Sequence, residues 1–289
     1  MDQNLRFSGH ETFVCKLFWL KKGFDFAVHE RSFNDPEAVS ELGVGKNMVS
    51  AINFWTKAFG ITDDSSKPTE LGKFLFGGKK PKDEFLEDIG SLWLLHYYLI
   101  SLARASIYSL VFNDFIRERI EFTKDQLHNY LRRKCYEVSD NLYNEGSISK
   151  DINVFIRNYL RPKRDGTKIE IEEDYSALLL DLELISSKRV NNIEYFSFEI
   201  RERESIPFEI VLFVILDNLT DSSIHFNSLL LDNNSPGRVF CLNQEGLYNK
   251  INQITQHYKG VSFSRTAGNE VLQINTNLNK WEVLREYYK

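Results

Sequence analysis

A pair of predicted helices joined at one glycine is the feature that most constrains the fold of this chain. The stretch LGVGKNMVSAINFW spans Leu42–Trp55. Before it, Asp35 and Pro36 are typical of the N-cap and the first position of a helix. Gly43 is where that helix is predicted to end, because glycine accepts the positive φ of a tight turn. A second helix is predicted from about residue 46 to residue 58. The pattern favours a helix-turn-helix unit.

The residues of these two helices divide into an inner and an outer set. The apolar residues expected to lock the helices together are Ala38, Val39, Leu42, Val44, Val49 and Ile52. The residues expected to face outward are Gly45, Lys46, Asn47, Ser50 and Asn53. The outer set is polar and contains no acid, which suits a recognition helix in the DNA major groove, where Asn pairs with adenine and Lys reaches guanine or phosphate. A helical core that binds a protein partner, or nothing, is the open alternative.

The segment Gly-Val-Gly-Lys also resembles part of the nucleotide-binding loop G-x-x-x-x-G-K-[ST]. Counted back from Gly45 and Lys46, the first glycine of that motif would fall on Ser40. The hydroxyl residue that would hold magnesium would fall on Asn47. The preceding segment has a helical pattern, whereas the loop follows a strand. These three departures exclude a nucleotide-binding loop.

The remaining sequence predicts a mainly α protein of the α+β class. Ser8 and Glu11 have the spacing of a capping box, which predicts a helix from Glu11 to Gly23. A short helix is predicted at residues 69–76, and residues 83–160 are predicted to be helical throughout. The elements predicted after residue 190 are a strand at 194–201, helices from 207, over 223–231 and over 243–257, and a two-stranded hairpin at 260–274.

We predict three domains from these elements. They are an N-terminal winged helix-turn-helix domain (1–82), a helical middle domain (83–205) and a C-terminal winged-helix-like domain (206–289). The apolar run Leu92–Phe112 is predicted to be a buried helix, because it carries His96 and Arg104 and lacks basic flanks. The three cysteines lie far apart, so we expect no structural zinc site and a cytoplasmic protein. The net charge of −5 does not exclude a local basic face.

Several short motifs resemble a bacterial protein family. They are FSGHETF (Phe7–Phe13), WLKKG (Trp19–Gly23), AVSELGVGKNMVSAINFW (Ala38–Trp55), LWLLHY (Leu92–Tyr97), SPGRVF (Ser235–Phe240) and TAG (Thr266–Gly268). Together they resemble the SspB-like family of bacterial DNA-phosphorothioation (Ssp) defence systems over nearly the whole chain. The resemblance implies that the protein binds duplex DNA and nicks it so that sulfur enters the backbone. The partners it implies are double-stranded DNA, a cysteine desulfurase, an ATP-pyrophosphatase-like protein and an ATPase, with no membrane.

Two other functions stay open at this stage. The chain would also suit a non-catalytic DNA-binding adaptor that recruits other defence proteins or senses for them. It would also suit an assembly protein that binds partners through its aromatic helices, and a homodimer is considered for each case. Nicking by phosphoryl transfer would call for a divalent metal, Mg²⁺ or Mn²⁺.

His10 and Glu11 are the candidate catalytic residues, because a predicted helix N-terminus attracts a phosphate. The capping box is the competing explanation for Glu11. Two acidic groups are weaker catalytic candidates. Glu172–Asp174 is also explained by a solvated loop, and Asp83–Asp88 is also explained by the start of a helix. His96 is expected to be a core histidine. No metal ligand is identified from the sequence.

Basic residues outside the predicted recognition helix are expected to contact DNA phosphates. They are Lys21, Lys22, Arg161, Lys163 and Arg164. A solvated helix face and a solvated loop are the alternative interpretation for these residues.

Overall fold

The elements of the chain belong to two units. The first contains the residues up to Val111 together with Phe115–Phe198, and the second contains Phe112–Asp114 and Glu199–Lys289. The structure is a computed structural model that describes residues 5–161, 176–266, 268–275 and 277–289. The division into three domains at residues 82 and 205 stays a prediction.

Helices make up most of the first unit. They are α1 (Trp19–Val28), α2 (Ala38–Leu42), α3 (Lys46–Ala58), α4 (Glu70–Phe76), α5 (Ile89–Ser101), α6 (Ser106–Leu110), α7 (Ile116–Glu118), α8 (Lys124–Val138) and α9 (Glu145–Tyr159). A π-helical turn at Val111–Phe115 lies between α6 and α7, and a 3₁₀ turn lies at Leu180–Leu182. The strands of this unit are β1 (Glu121–Phe122), β2 (Ile185–Val190) and β3 (Ile193–Phe198).

The segment before α1 is not helical, so the predicted capping box and the helix from Glu11 are wrong. The first helix begins at Trp19, and Gly23 lies inside it rather than after it. Ser8 and Glu11 both have positive φ, which a right-handed helix excludes. The backbone N–H of Ser8 donates to Asp151 of α9 instead of joining a local cap. A long-range hydrogen bond therefore overrides the local pattern.

The two helices joined at Gly43 are present. Gly43 adopts the left-handed conformation, with φ 63° and ψ 35°, and α3 has the predicted bounds. The first helix begins at Ala38, two residues later than the position predicted for Pro36. Its inner face is formed by Ala38 and Leu42, whereas Val39 is 37% exposed and does not belong to it. Ala38 and Leu42 are four residues apart and so lie on one face of the helix.

The middle helix α3 lies at the centre of the packing of this region. Ala51, Ile52, Trp55 and Ala58 are completely buried, so one side of the helix is fully desolvated. This burial of large apolar side chains is the dominant favourable contribution to folding. The described residues from 5 to 82 contain no strand pair. The segment between α3 and α4 instead forms an isolated bridge from Thr62 to Pro68, so the predicted wing is not confirmed.

The apolar run at 92–112 is broken rather than continuous. It forms α5 and α6 with a break between them, where Ala103 has positive φ and Arg104 donates to the carbonyls of Lys57 and Thr62. No single described helix is long and apolar enough to cross a membrane, and the two stretches that pass this test together, Ile89–Ser101 and Ser106–Glu118, are bent by 93°. His96 is fully buried beside Tyr159, which confirms it as a core histidine.

The middle of the chain is a mixture of helices and strands, so the prediction of helix throughout 83–160 is wrong at β1. The three strands pair antiparallel in the order β1-β3-β2. The predicted strand at 194–201 is confirmed as β3, but β1 and β2 were missed. The first of these has only two residues, and the second ends in four residues that are half-buried or exposed, so neither has a recognisable apolar alternation.

The second unit follows the order helix, strand, helices, hairpin, helix. Its helices are α10 (Phe208–Asp217), α11 (Phe226–Leu231), α12 (Pro236–Val239), α13 (Gln244–His257) and α14 (Lys280–Tyr287). Its strands β4 (Ser223–His225), β5 (Val261–Thr266) and β6 (Asn269–Ile274) pair antiparallel in the order β4-β6-β5. The predicted hairpin is therefore confirmed. The helix predicted over 223–231 is wrong in its first three residues, which pair with β6 instead.

Two glycines on either side of the turn between α2 and α3 allow a matched test of this fold. Replacing Gly43 by alanine is expected to lower the free energy of unfolding by about 1 kcal/mol, because a Cβ is disfavoured at positive φ. Replacing Gly45 by alanine is expected to change it by less than about 0.5 kcal/mol, because its φ is −66° and a Cβ there meets open space. Urea denaturation of both variants measures the difference. Equal free energies of unfolding for the two variants would contradict the need for glycine at position 43.

Candidate nucleic-acid interface

The outer face of α3 presents the polar residues predicted from the sequence. Gly45, Lys46, Asn47 and Ser50 are exposed. Gly45 at the N-cap is extended, with no side-chain cap and no acid in the first helical turn. The first N–H groups of this 13-residue helix therefore carry the positive end of the helix dipole without a competing carboxylate. This end of α3 is suited to a phosphate or to the acceptor atoms of bases.

The hydroxyl of Ser50 and the side-chain amide of Asn53, further along this face, already have hydrogen-bond partners. Ser50 donates from its Oγ to the carbonyl of Lys46, 3.4 Å away. Asn53 is half-buried, and its Oδ1 accepts from the Oγ of Ser66 at 3.3 Å. Asn53 therefore lies at the edge of the face predicted from the sequence, whereas Lys46, Asn47 and Ser50 lie within it.

The other predicted phosphate contacts are more strongly engaged. Lys21 lies 2.5 Å from Asp25 and 3.2 Å from Glu84. Partial burial lowers the pKa of Lys21, but these two carboxylates outweigh that effect and raise the pKa above its ordinary value. Lys22 donates to the carbonyl of Leu42 at the end of α2, 3.3 Å away. Both lysines thus stabilise the fold next to the turn.

Arg161 forms an ion pair with Asp181 on the surface. Lys163 and Arg164, and the acidic group Glu172–Asp174, lie outside the residues that the structure describes. The acidic group at 83–88 has a structural role, because Asp83 accepts from the N–H groups of Glu87 and Asp88 and the side chain of Asp88 caps α5. The start of a helix explains that group.

His10 is buried, and both of its ring nitrogens are occupied. Nδ1 accepts from the backbone N–H of Thr12 at 3.1 Å, so the proton of the neutral ring lies on Nε2 and is donated to Asp151 Oδ1 at 3.0 Å. The ring also stacks on Trp55, with centroids 6.1 Å apart, and meets the edge of Phe54. His10 is 4% exposed, so it connects the N-terminal segment to α3 and α9 rather than facing solvent.

The backbone around His10 is held in an uncommon conformation. Ser8, Gly9, Glu11 and Thr12 have φ values of 69°, 98°, 49° and 68°. A Cβ at residue 9 would meet Phe54 Cδ2 at 2.6 Å, so glycine is required there by both conformation and space. Glu11 is exposed, in contrast to His10. Strain of this kind persists only where the surrounding structure holds it, and it is common at ligand-binding and active sites.

Several residues of this region were missed by reasoning from the sequence. Asp151 is 3% exposed and accepts from Ser8 and His10, although 141 residues separate it from His10 along the chain. One signal could have found it. Asp151 lies on the apolar side of α9 between Ile148 and Ile152, where an acid is rare unless it has a partner. The partner itself was not predictable from spacing.

The described residues contain no group of three His, Cys, Asp or Glu side chains that could hold a metal ion. His10 does not fit a metal site, since both ring nitrogens form hydrogen bonds within the protein. Glu11 is an exposed carboxylate, and Mg²⁺ in proteins is commonly held by one or two carboxylates together with substrate phosphates.

Comparison with known proteins identifies the fold. A family profile described as "Protein of unknown function (DUF4007)" matches residues 7–288. Two crystal structures of SspB are similar over 98% of this chain and 87% of theirs. One is the magnesium ion-bound form, with a TM-score of 0.85 and 25% identity, and the other has a TM-score of 0.84 and 26% identity. No curated protein sequence matches significantly.

The buried His10–Asp151 pair predicts a stability effect that separates a structural role from a purely chemical one. Replacing His10 by alanine is expected to lower the free energy of unfolding by about 2–3 kcal/mol, because the buried Asp151 carboxylate loses a donor. Glu11→Ala, at an exposed neighbouring residue, is the control and is expected to change it by less than about 0.5 kcal/mol. Chemical denaturation measures both. Unchanged stability in His10→Ala would refute the structural role.

Proposed function

Because the chain belongs to the DUF4007 family and has the fold of SspB, we propose that it is a DNA-binding protein of a bacterial phosphorothioation-linked defence system. The observation that carries the proposal is the acid-free, exposed beginning of α3, presented by a left-handed turn at Gly43. The resemblance of the FSGHETF and Ala38–Trp55 motifs to the SspB-like family supports the same conclusion.

In this proposal the first two turns of α3 enter the major groove. Lys46 contacts a phosphate or guanine, and Asn47 and Ser50 contact base edges. The buried side of the helix is completely packed, so the exposed side chains are presented by a rigid element and little ordering is needed on binding. Winged forms of the N-terminal region and of the second unit are part of the proposal. In the second unit, β5 and β6 would be the wing that follows α13.

We propose further that the protein nicks duplex DNA near the N-terminal segment. Glu11 is the exposed carboxylate there, and it would hold Mg²⁺ or Mn²⁺ together with phosphates of the DNA. When bound, such an ion neutralises charge that develops on the reacting phosphate. The role of His10 in this proposal is positioning, because its ring holds the segment that carries Glu11. Magnesium is present in one of the similar SspB structures, which supports this choice of ion.

A non-catalytic adaptor is the second candidate function. It is favoured by the lack of a three-ligand metal group among the described residues. In that case the chain would bind duplex DNA and recruit the proteins that the resemblance implies, namely a cysteine desulfurase, an ATP-pyrophosphatase-like protein and an ATPase. A homodimer is compatible with either candidate and stays a prediction.

Reversal of one charge tests the DNA-binding face. Lys46→Glu is expected to weaken duplex binding roughly tenfold or more at low salt and to reduce the slope of log K against log[salt] by about 1, because a phosphate contact is lost. Arg189→Glu, an equal charge change at an exposed residue of β2, is the control and should bind as the wild type does. Fluorescence anisotropy over a range of salt concentrations measures both. Equal binding by the two variants would rule out this face.

A supercoiled-plasmid assay distinguishes the two candidate functions. Conversion to the open-circular form in the presence of Mg²⁺ or Mn²⁺, and its loss with a chelator, is the expected result. Glu11→Gln is expected to lose conversion while it keeps wild-type affinity for duplex DNA and wild-type stability. If wild-type protein shifts the plasmid without cutting it under any metal condition, the adaptor is correct and Glu11 has no chemical role.

A further inference from the structure

A cavity of about 480 Å³ opens beside the N-terminal segment, and no part of the proposed groove contact uses it. Its walls come from the N-terminal segment, the C-terminal end of α3 and the start of α9. Three of its lining residues, Arg6, Lys57 and Arg104, are cationic, and Asp64 is its one acid. Ser8, Asn144 and Ser147 add small polar side chains to the wall. The charged residues of the lining thus carry an excess of positive charge, whereas Leu5, Phe7, Phe54 and Leu142 make most of the lining surface apolar.

Arg104 is held rigidly in this cavity. Its Nη1 donates to the carbonyls of Lys57 and Thr62 at 2.9 and 3.2 Å, and its Nε lies 3.3 Å from Asp64 Oδ1. Arg6 Nη1 lies 3.7 Å from the same oxygen, so two guanidinium groups share one carboxylate. The Asp64 side chain is 67% exposed, and an ion pair in that setting is weak because water screens it. A ligand anion of higher charge could replace the Asp64 carboxylate as the partner of these two guanidinium groups.

The backbone that carries Arg6 is fixed, although its side chain is 56% exposed. The N–H of Arg6 donates to Ser106 Oγ at 2.8 Å, and its carbonyl accepts from the N–H of Ser106 at 3.1 Å. Gly9 approaches Phe54 so closely that no side chain fits at that position. The N-terminal segment therefore places the exposed Arg6 guanidinium beside the firmly held Arg104 guanidinium. Guanidinium groups form strong charge-assisted hydrogen bonds with phosphate oxygens.

We propose that this cavity binds a phosphate group, and that in the DNA complex this is a backbone phosphate beyond the one contacted at the start of α3. The inference rests on the proposed DNA-binding function. Lys46 and Lys57 are separated by eleven residues of one helix, or roughly 16 Å along its axis. Neighbouring phosphates of one strand rise by about 3.4 Å each. The two ends of α3 thus reach different phosphates.

Two probes test the cavity independently of each other. The first is inorganic phosphate alone, titrated into wild-type protein and into Arg6→Gln/Lys57→Gln at constant ionic strength and followed by NMR shifts of the backbone amides of residues 6–9. Saturable shifts in the wild type and their loss in the double variant are expected. Both substitutions avoid Arg104, whose side chain holds the break between α5 and α6. Wild-type unfolding curves for the double variant provide the check on folding.

The second probe is duplex DNA measured over a range of salt concentrations. Arg6→Gln is expected to reduce the slope of log K against log[salt] by about 0.9, and the double variant by about 1.8. Arg189→Gln is the matched control and should keep the wild-type slope. Unchanged slopes in both cavity variants, with Lys46→Glu still defective, would overturn the cavity and leave the DNA-binding face intact. Saturable phosphate binding without any affinity for duplex DNA would overturn the nucleic-acid assignment, and no phosphate binding in the wild type would overturn the site.

Discussion

The carboxylate of Asp151 determines where the N-terminal segment lies. It is buried within α9 and accepts from the N–H of Ser8 and from the Nε2–H of His10. A buried carboxylate without donors costs several kcal/mol, so α9 and the N-terminal segment stabilise the folded state only in combination. The indole of Trp55 adds a third point of attachment by donating to the carbonyl of Phe13. The segment that carries Glu11 and one wall of the cavity is positioned by these bonds, and its unusual φ values are their geometric consequence.

The helix α3 connects this buried network to the exposed face. Its second half contacts His10 through Phe54 and Trp55, and its first half carries Lys46, Asn47 and Ser50. The rotation of the helix about its own axis is set by the completely buried side, so its exposed side chains cannot turn inward without exposing Trp55 and Ile52. The FSGHETF motif and the predicted recognition helix α3 are thus joined through the contacts of His10 with Phe54 and Trp55, although separate arguments identified them.

Local sequence patterns predicted the elements whose geometry depends on residues close together in the sequence. The bounds of α3, the turn at Gly43 and the hairpin of β5 and β6 followed from periodicity and glycine placement. The capping box at Ser8 failed because the N–H of Ser8 donates to Asp151, 143 residues away, and because Ser8 and Glu11 both have positive φ. The strand β1 was missed for a related reason, since two residues carry no period of their own and pair only because β3 lies beside them. Of the candidate site, the outer face of α3 was predictable, whereas the contacts of His10 and the convergence of Arg6 with Arg104 were not.

The occupied nitrogens of His10 change how the FSGHETF motif is to be understood. A histidine that abstracts or donates a proton needs one nitrogen directed at the substrate, whereas here both are used to hold a strained loop. Charged groups exposed near this residue are the Glu11 carboxylate, within the motif, and the Arg6 guanidinium, immediately before it, and they lie on opposite sides of His10 in the sequence. The Glu11 carboxylate is suited to a metal ion, and the Arg6 guanidinium is suited to a phosphate. In the proposed function the residues that flank His10 would therefore contact the metal ion and the phosphate, and the hydrogen bonds of His10 keep the segment that carries them in place.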